Sequence, residues 1–450
     1  MLLTLVAFGV MVGVLIFVHE LGHFLAAKGL GVQVHRFSLG FGKSLVSVRR
    51  GETEYVIAAI PLGGYVKMAG LEDEAMEKLE GPAADPVDPA RAFDRKPIWV
   101  RLVILSAGVT MNVLLAFVVF AGRAMTIGLP ANASTTIDSV HTELLPAQAS
   151  ALASLRPGDQ VIRINGDTIR NWGDLERQLQ EGPSPARIEV AGGTAAVVVP
   201  IGELGSTTRD SVTVSLGPRV PPRLGVLIPG MPGYRAGLQP KDLVIRVNGD
   251  TVRWWSDVTK RIKSSPGKSM DIEVLRGTTT AHVTVVPELL VDSAGKSIQR
   301  YGQIGVYPDP PMVHIRESFT RSLGDAAENT AGGILQVLSV VKQLVLGHAS
   351  LTKTLSGPLE IASVSGQAAR LGFDWFLGIL TSFSLTLAVL NFLPIPILDG
   401  GQVMFVLAEA VRRKPLSLNV RLRLSQVGFV LLMCLMLFAI VNGAFKFFGH

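Results

Sequence analysis

Four stretches of this chain carry no charged residue: 1–18, 102–122, 375–398 and 425–445. Each is close to the ~20 residues a helix needs to cross a hydrocarbon core of roughly 30 Å. One such stretch is compatible with a buried helix of a soluble protein. Four in one chain, within a composition that is 48% hydrophobic, point to a polytopic α-helical membrane protein with four transmembrane helices. The first stretch resembles a secretory signal in position only. It has no basic flank before it, the first Lys or Arg being Lys28, and it reads as a retained span.

Lys and Arg near the span ends set the expected orientation. Lys28, Arg36, Lys43, Arg91, Arg95, Lys96 and Arg101 lie between spans one and two, and Arg412, Arg413, Lys414, Arg421 and Arg423 between spans three and four. After span two only Arg123 appears before Arg156. Both basic loops are therefore expected in the cytoplasm, with both termini and the long 126–371 segment on the opposite side. The net charge of +6 is accounted for by these loops against membrane lipid, so no nucleic-acid partner is expected. The one cysteine, Cys434, lies inside the fourth stretch and can form no intrachain disulfide.

Between spans one and two, 53–68 reads as two strands around a Gly-rich turn, and 70–95 as an acidic, mobile loop. The middle segment repeats itself: Leu155–Asp174 matches Leu238–Asp257 at 13 of 20 positions, an offset of 83 residues. The shared core, Val-Ile-Arg-(Ile/Val)-Asn-Gly-Asp-Thr, is an apolar strand, an Asn-Gly turn and a second short strand. A period this long means two copies of one small domain rather than a solenoid. Each copy resembles a PDZ domain through its Leu-x-Pro-x-Asp-x-Val-Ile-Arg-x-Asn-Gly run. That resemblance implies a peptide groove, expected at Leu224, Gly225 and Val226. The alternative is a pair of domains used as a spacer or size filter. Residues 313–347 carry apolar positions at helical spacing, expected as amphipathic helices interrupted at Gly332-Gly333.

His19-Glu20-Leu21-Gly22-His23 is an H-E-x-x-H motif. On a helix, residues i and i+4 share a face, so both imidazoles can reach one metal, with Glu20 beside it as a base for metal-bound water. A His-acid-x-x-His pattern arises by chance in about one in a hundred chains of this composition. Its place at the end of an uncharged span raises its weight, because ionisable groups at membrane depth mark function. The bland alternative is a helix end at the interface with both histidines solvated. Catalytic Zn²⁺ needs a third protein ligand. Asp399 follows Asn391-Phe392-Leu393-Pro394-Ile395-Pro396-Ile397-Leu398, where two prolines prevent a regular helix. Such backbone at membrane depth belongs in protein or along a cavity. Spans one and three enter from the same side, so Asp399 is expected level with His19 and His23; otherwise it is a cap where the chain leaves the bilayer.

These motifs together resemble the site-2 protease family of intramembrane zinc metalloproteases. With tandem PDZ-like domains the resemblance is to the bacterial regulator of sigma-E type. It extends over Arg36–Gly42, Ile60–Met68 and Ser356-Gly357-Pro358. It implies zinc on His19, His23 and Asp399, Glu20 as general base, and substrate contacts from Asn391 and from the hairpin at Gly63, Gly64 and Tyr65. The substrate implied is a transmembrane protein of the anti-sigma-factor type, already trimmed by another protease, together with remnant signal peptides. Ala107-Gly108-Val109-Thr110-Met111-Asn112 lacks the family's proline, with Asn112 kept as a polar substrate contact. The location implied is the cell inner membrane, with the PDZ-like domains periplasmic.

The expected organisation is two α+β PDZ-like domains inserted between spans two and three. It runs as transmembrane helix 1–27, a cytoplasmic-side segment with a membrane-associated β-hairpin 28–98, helix 99–125, PDZ-like domains 126–215 and 216–312, an amphipathic connector 313–371, helix 372–399, a cytoplasmic loop 400–424 and helix 425–447. Two other classes fit parts of the pattern. A non-proteolytic membrane PDZ scaffold or chaperone needs no zinc ligands. A metal transporter would show repeats among its spans.

Overall fold

The computed structural model describes residues 2–71, 88–193, 195–201, 206–228, 230–292, 299–347, 357–414 and 416–448. Most of the expected acidic loop, 72–87, and Ser356 lie outside the described residues. The chain divides into two units, one of Met1–Gly128 with Arg316–His450, the other of Leu129–Ile315.

Among the described residues of the first unit, four helices are long and apolar enough to cross a membrane: α1 (Leu2–Gly29), α2 (Ile98–Thr126), the Phe373–Asn391 helix and the Asn419–Gly443 part of the last helix. Helices α3 (Phe319–Val345) and α4 (Pro358–Leu371) precede α5 (Phe373–Asn391), which is followed by α6 (Asp399–Arg412) and α7 (Leu418–Phe448). Helix α2 is the centre of the unit, packing against α1, α3, α5 and α6. Its Val100, Ile104 and Leu105 share a core with Ala27, Phe37 and Val406. Helix α7 leaves residues such as Val427 and Leu437 exposed. Exposed apolar side chains of this kind are at home in lipid.

Three sequence expectations change. The 53–68 segment is one strand, β2 (Thr53–Met68), and its partner is the preceding β1 (Val34–Arg50). The pairing is folded on itself: 36–39 meets 64–67 on one side and 54–57 on the other, while 44–50 returns along 53–58. The Gly-rich run is thus a bend within a long strand, not the hairpin turn, which falls at Gly51 with φ +63°. The expected loop 400–424 contains α6, whose Phe405 and Val406 are buried; the Arg412-Arg413-Lys414 cluster marks only its end. Helix α3 runs through Gly332-Gly333 without a break and packs on α2 and α5 instead of lying apart as a surface helix. A Cβ at Gly333 would stand 2.5 Å from Leu385 Cδ1, so this glycine serves close packing rather than termination.

The second unit holds two cores of matching element order. One sheet runs Asp167–Thr168, Val161–Ile164, Ala186–Val190, Val197–Val199; the other runs Asp250–Thr251, Leu243–Val247, Met270–Arg276, Thr279–Val285. Each carries one helix after its first strand pair, Trp172–Glu181 and Trp255–Lys263. Both tight turns place Asn165 and Asn248 at φ 53°, each before a glycine, as an Asn-Gly turn requires. The first core reaches Leu216, and strand Leu216–Pro218 pairs with Ile137–Val140, so it ends beyond the expected boundary at 215. Strand Leu129–Asn132 pairs with Met312–Ile315, zipping the chain's entry to the unit against its exit.

Candidate metal centre

His19 and His23 lie one turn apart on α1, 7% and 6% exposed. Their rings meet edge-on, with Nε2 atoms 3.4 Å apart. Asp399 is the first residue of α6, and its Oδ2 stands 3.1 Å from His19 Nε2 and 3.4 Å from His23 Nε2. Two ligands bound at ~2.0–2.1 Å in tetrahedral geometry stand about 3.3 Å apart, so the triangle has the edge lengths of a zinc site. These three side chains form the one metal-capable cluster among the described residues.

Protonation supports the same reading. His23 Nδ1 donates to the Ile104 carbonyl at 2.8 Å, which fixes its tautomer and turns the Nε2 lone pair inward. Asn112, fully buried, holds its amide nitrogen 3.2 Å from His19 Nδ1, while its Oδ1 has no hydrogen-bond partner among the described residues. With the two amide atoms exchanged, Oδ1 would accept from His19 Nδ1–H, and the His19 Nε2 lone pair would also face the centre. Asp399 Oδ2 is buried and takes no hydrogen bond of good geometry among the described residues. His19 Nε2, His23 Nε2 and Asp399 Oδ2 converge as a set of atoms that could hold a metal ion.

The backbone explains how these groups come so close. A Cβ at Gly108 on α2 would collide with His23 Nε2 and stand 2.8 Å from His19 Cε1. A Cβ at Gly22 would collide with the Ala107 carbonyl and stand 2.7 Å from Met111 Cγ. Small residues on both helices thus let the spans touch at the metal's depth. Behind Asp399, Gly400 and Gly401 lie against the carbonyls of Phe392 and Ile395, closing a tight turn that delivers the carboxylate at a helix start. Ser384 Oγ donates to the Asn112 carbonyl at 2.7 Å, tying α5 to α2 behind His19.

Glu20 interacts electrostatically with His19, His23 and Asp399. A Cβ on Gly64 would stand 2.8 Å from Glu20 Cγ, so the 64–68 margin of the β-ribbon borders the site. Tyr65 stacks on Phe41 with ring centroids 6.1 Å apart, and its hydroxyl lies 3.3 Å from Arg36. Gly63, at φ +133°, packs against the Phe41 ring. Asn391, the last residue of α5, sits with its amide 3.3 Å from His19 Nε2.

Two expected placements differ. Asn112 is expected as a substrate contact, but α2 is regular through Val109 and holds Asn112 inward, fully buried against His19. Leu224 is a core residue, 1% exposed, whose amide donates to Asp242 and whose carbonyl accepts from Lys241; its strand Leu224–Leu227 is also paired with Val306–Pro308. Leu224 is therefore committed to the domain's own packing, while Gly225 and Val226 lie in a strand that Val306–Pro308 pairs along one edge. The steric roles of Gly108 and Gly22 and the part of the Ile104 carbonyl emerge only in the fold. The signal was the Ala107-Gly108 pair, small residues in the span that must receive two imidazoles.

The profile of peptidase family M50 matches residues 7–435. The chain belongs to peptidase family M50. This M50 peptidase is 33% identical, over 99% of each chain, to a predicted zinc metalloprotease of Ralstonia nicotianae. It is 31% identical to the regulator of sigma-E protease of Escherichia coli over 97% of each chain, and 31% identical to a protease of the same type from Yersinia pestis over 98% of each. The H-E-x-x-H motif, the Asp399 turn and all four candidate spans, except the start of the first and the end of the last, fall inside the matched region.

Proposed function

We propose that the chain is an intramembrane zinc metalloprotease that hydrolyses a peptide bond within or near the transmembrane segment of single-span proteins. The observation that carries this reading is the His19, His23, Asp399 triangle, with edges of 3.1–3.4 Å, among helices apolar enough to cross a membrane. A scaffold or chaperone has no use for such a triangle.

When bound, zinc supplies a Lewis acid that acidifies water and polarises a carbonyl. His19, His23 and Asp399 would hold it, and Asn112 and the Ile104 carbonyl would orient the imidazoles. Glu20 takes the proton from the attacking water and passes it to the departing amide nitrogen. The Asn391 amide donates to the developing oxyanion. A helical substrate hides its carbonyls in i to i+4 bonds and must unwind first. The ribbon margin at Gly64, beside Glu20, offers a strand along which the unwound segment lies extended, near Gly63 and Tyr65.

The basic residues of 28–101 and 412–423 favour a cytoplasmic placement of the zinc side and a periplasmic Leu129–Ile315 unit in the inner membrane. The repeated Asn-Gly units within it read as tandem PDZ-like domains acting as a size filter on substrates that still carry outer domains. We read a trimmed anti-sigma factor as the substrate, with remnant signal peptides as a second class; the Escherichia coli relative is named a regulator of sigma-E protease.

The test is zinc content and cleavage of a single-span model substrate, measured together. Wild type should hold one zinc per chain and cut. Asp399→Ala should lose both, since two imidazoles alone make a weak site. Full zinc occupancy in Asp399→Ala, or a zinc-loaded wild type inert on every transmembrane substrate, would defeat the reading.

A further inference from the structure

Two arginines on α2 sit deep among its neighbours, each paired with an acid from the C-terminal half. Arg123 Nε lies 2.7 Å from Asp374 Oδ1 at the start of α5. Arg101 Nη1 lies 2.9 Å from Glu409 Oε2 near the end of α6, with side chains only 10% and 6% exposed. The second pair stands on the helix that begins with Asp399. We propose that Arg101 and Glu409 are positioning residues, a clamp that fixes α6 against α2 so that Asp399 meets the metal. The proposal rests on the reading of Asp399 as a zinc ligand.

One face of α2 carries the whole arrangement. Arg101, Ile104, Gly108 and Asn112 recur at helical spacing, and each meets a different part of the centre: Glu409, His23 Nδ1, both imidazole rings and His19 Nδ1. The same face therefore sets both histidines and the helix of the third ligand. Glu409 lies ten residues after Asp399, ~15 Å along a rigid helix. A slide of α6 at Glu409 is transmitted whole to Asp399, and a ligand distance tolerates only about 0.2 Å of error.

Apolar packing of Val403 and Val406 on Val100, Ile104 and Leu105 also holds α6. Such packing is non-directional and leaves sliding along the groove cheap. A charge-assisted hydrogen bond is directional and short, and supplies the missing constraint. A buried ion pair is weak support for stability as such, since an apolar replacement of both partners is often neutral or better. That separates positioning from folding: Arg101→Met with Glu409→Leu leaves no buried charge unpaired and should fold.

The experiment loads the purified full-length protein with cobalt(II) and reads its visible absorption and its apparent Kd against a chelator. Asp399→Ala, run in parallel, gives the signature of a lost carboxylate. The Arg101→Met/Glu409→Leu protein should keep its thermal midpoint, move its cobalt absorption towards that signature and raise the metal Kd roughly 10–100-fold. Arg101→Lys, a point charge in place of a planar fork, should fall between. The reversed pair, Arg101→Glu with Glu409→Arg, should return both readouts towards wild type. Arg123→Met with Asp374→Leu, which removes the other buried pair, should leave the absorption unchanged. Wild-type absorption and Kd in the Arg101→Met/Glu409→Leu and Arg101→Lys proteins, alongside a changed Asp399→Ala spectrum, overturn the clamp and leave the zinc assignment standing. An unchanged Asp399→Ala spectrum overturns the ligand assignment itself.

Discussion

Asn112 and His19 meet 3.2 Å apart inside the helix bundle, amide against imidazole Nδ1, with Asn112 fully buried. A polar residue on α2 thus faces a candidate metal ligand on α1. Asn112→Leu should weaken metal binding roughly 10–100-fold, the usual cost of losing a supporting partner, while Asn112→Asp, which still accepts from Nδ1–H, should stay near wild type. Chelator competition measures both. Equal loss in the two variants would mean the contact is packing rather than orientation.

Gly108 makes a second, steric prediction. A Cβ there would occupy the space of His23 Nε2, whereas Gly122 on the same helix has nothing within 4 Å. Gly108→Ala should remove bound zinc and activity, and Gly122→Ala should change neither. Zinc retained in Gly108→Ala would show that the two helices separate easily at this depth.

Glu52, in the β1–β2 turn, accepts from Lys28 at 2.6 Å and from both Arg91 nitrogens at 2.7 Å, pinning the ribbon to the end of α1. The Arg91 guanidinium, then Lys28, hold its carboxyl well below its ordinary value of 4.5, at about 2. A lowered folded-state value means the stabilisation is complete above about pH 4.5 and is lost as pH falls towards 2. Hydrogen exchange across 34–68 should be flat from pH 7 to about 5 after correction for intrinsic rates, and should quicken below that. Glu52→Gln should exchange fast throughout. Loosening centred near pH 6.5 would point to a histidine instead.

The paired strands Leu129–Asn132 and Met312–Ile315 bring the ends of the second unit together, with Leu129 opposite Ile315. Joining Gly128 to Arg316 should therefore leave the zinc site whole. If the unit is a size filter, the shortened chain should cut single-span substrates that still carry a folded outer domain. If the unit recruits substrate, cleavage of trimmed substrates should fall instead.

Much of the metal site was legible in the sequence because its chemistry is local. His19, Glu20 and His23 occupy one turn of one helix, and Pro394 and Pro396 announce the break that precedes Asp399. The supporting groups were not legible, because their roles arise between helices. The resemblance marks Asn112 as a substrate contact, and only the packing of α2 places it on His19. Arg101 reads as an interfacial charge until Glu409 is found opposite it. Gly333 reads as a helix break because composition alone cannot tell a terminating glycine from one that admits Leu385. The β-ribbon was misread for a related reason: β1 has few turn signals, and the double pairing of 36–39 is long-range.

The central claim is that Glu20 is the base of a zinc-dependent cut in a membrane-embedded peptide bond. The most direct measurement is the cleavage rate of a single-span substrate by purified Glu20→Gln protein whose zinc content has been determined in the same sample. A glutamine cannot take the proton of the attacking water, but it leaves His19, His23 and Asp399 in place. The account predicts one zinc per chain and a rate at least ~100-fold below wild type, the lower end of what a general base contributes. A zinc-loaded Glu20→Gln protein that cuts at a rate comparable to wild type would contradict it.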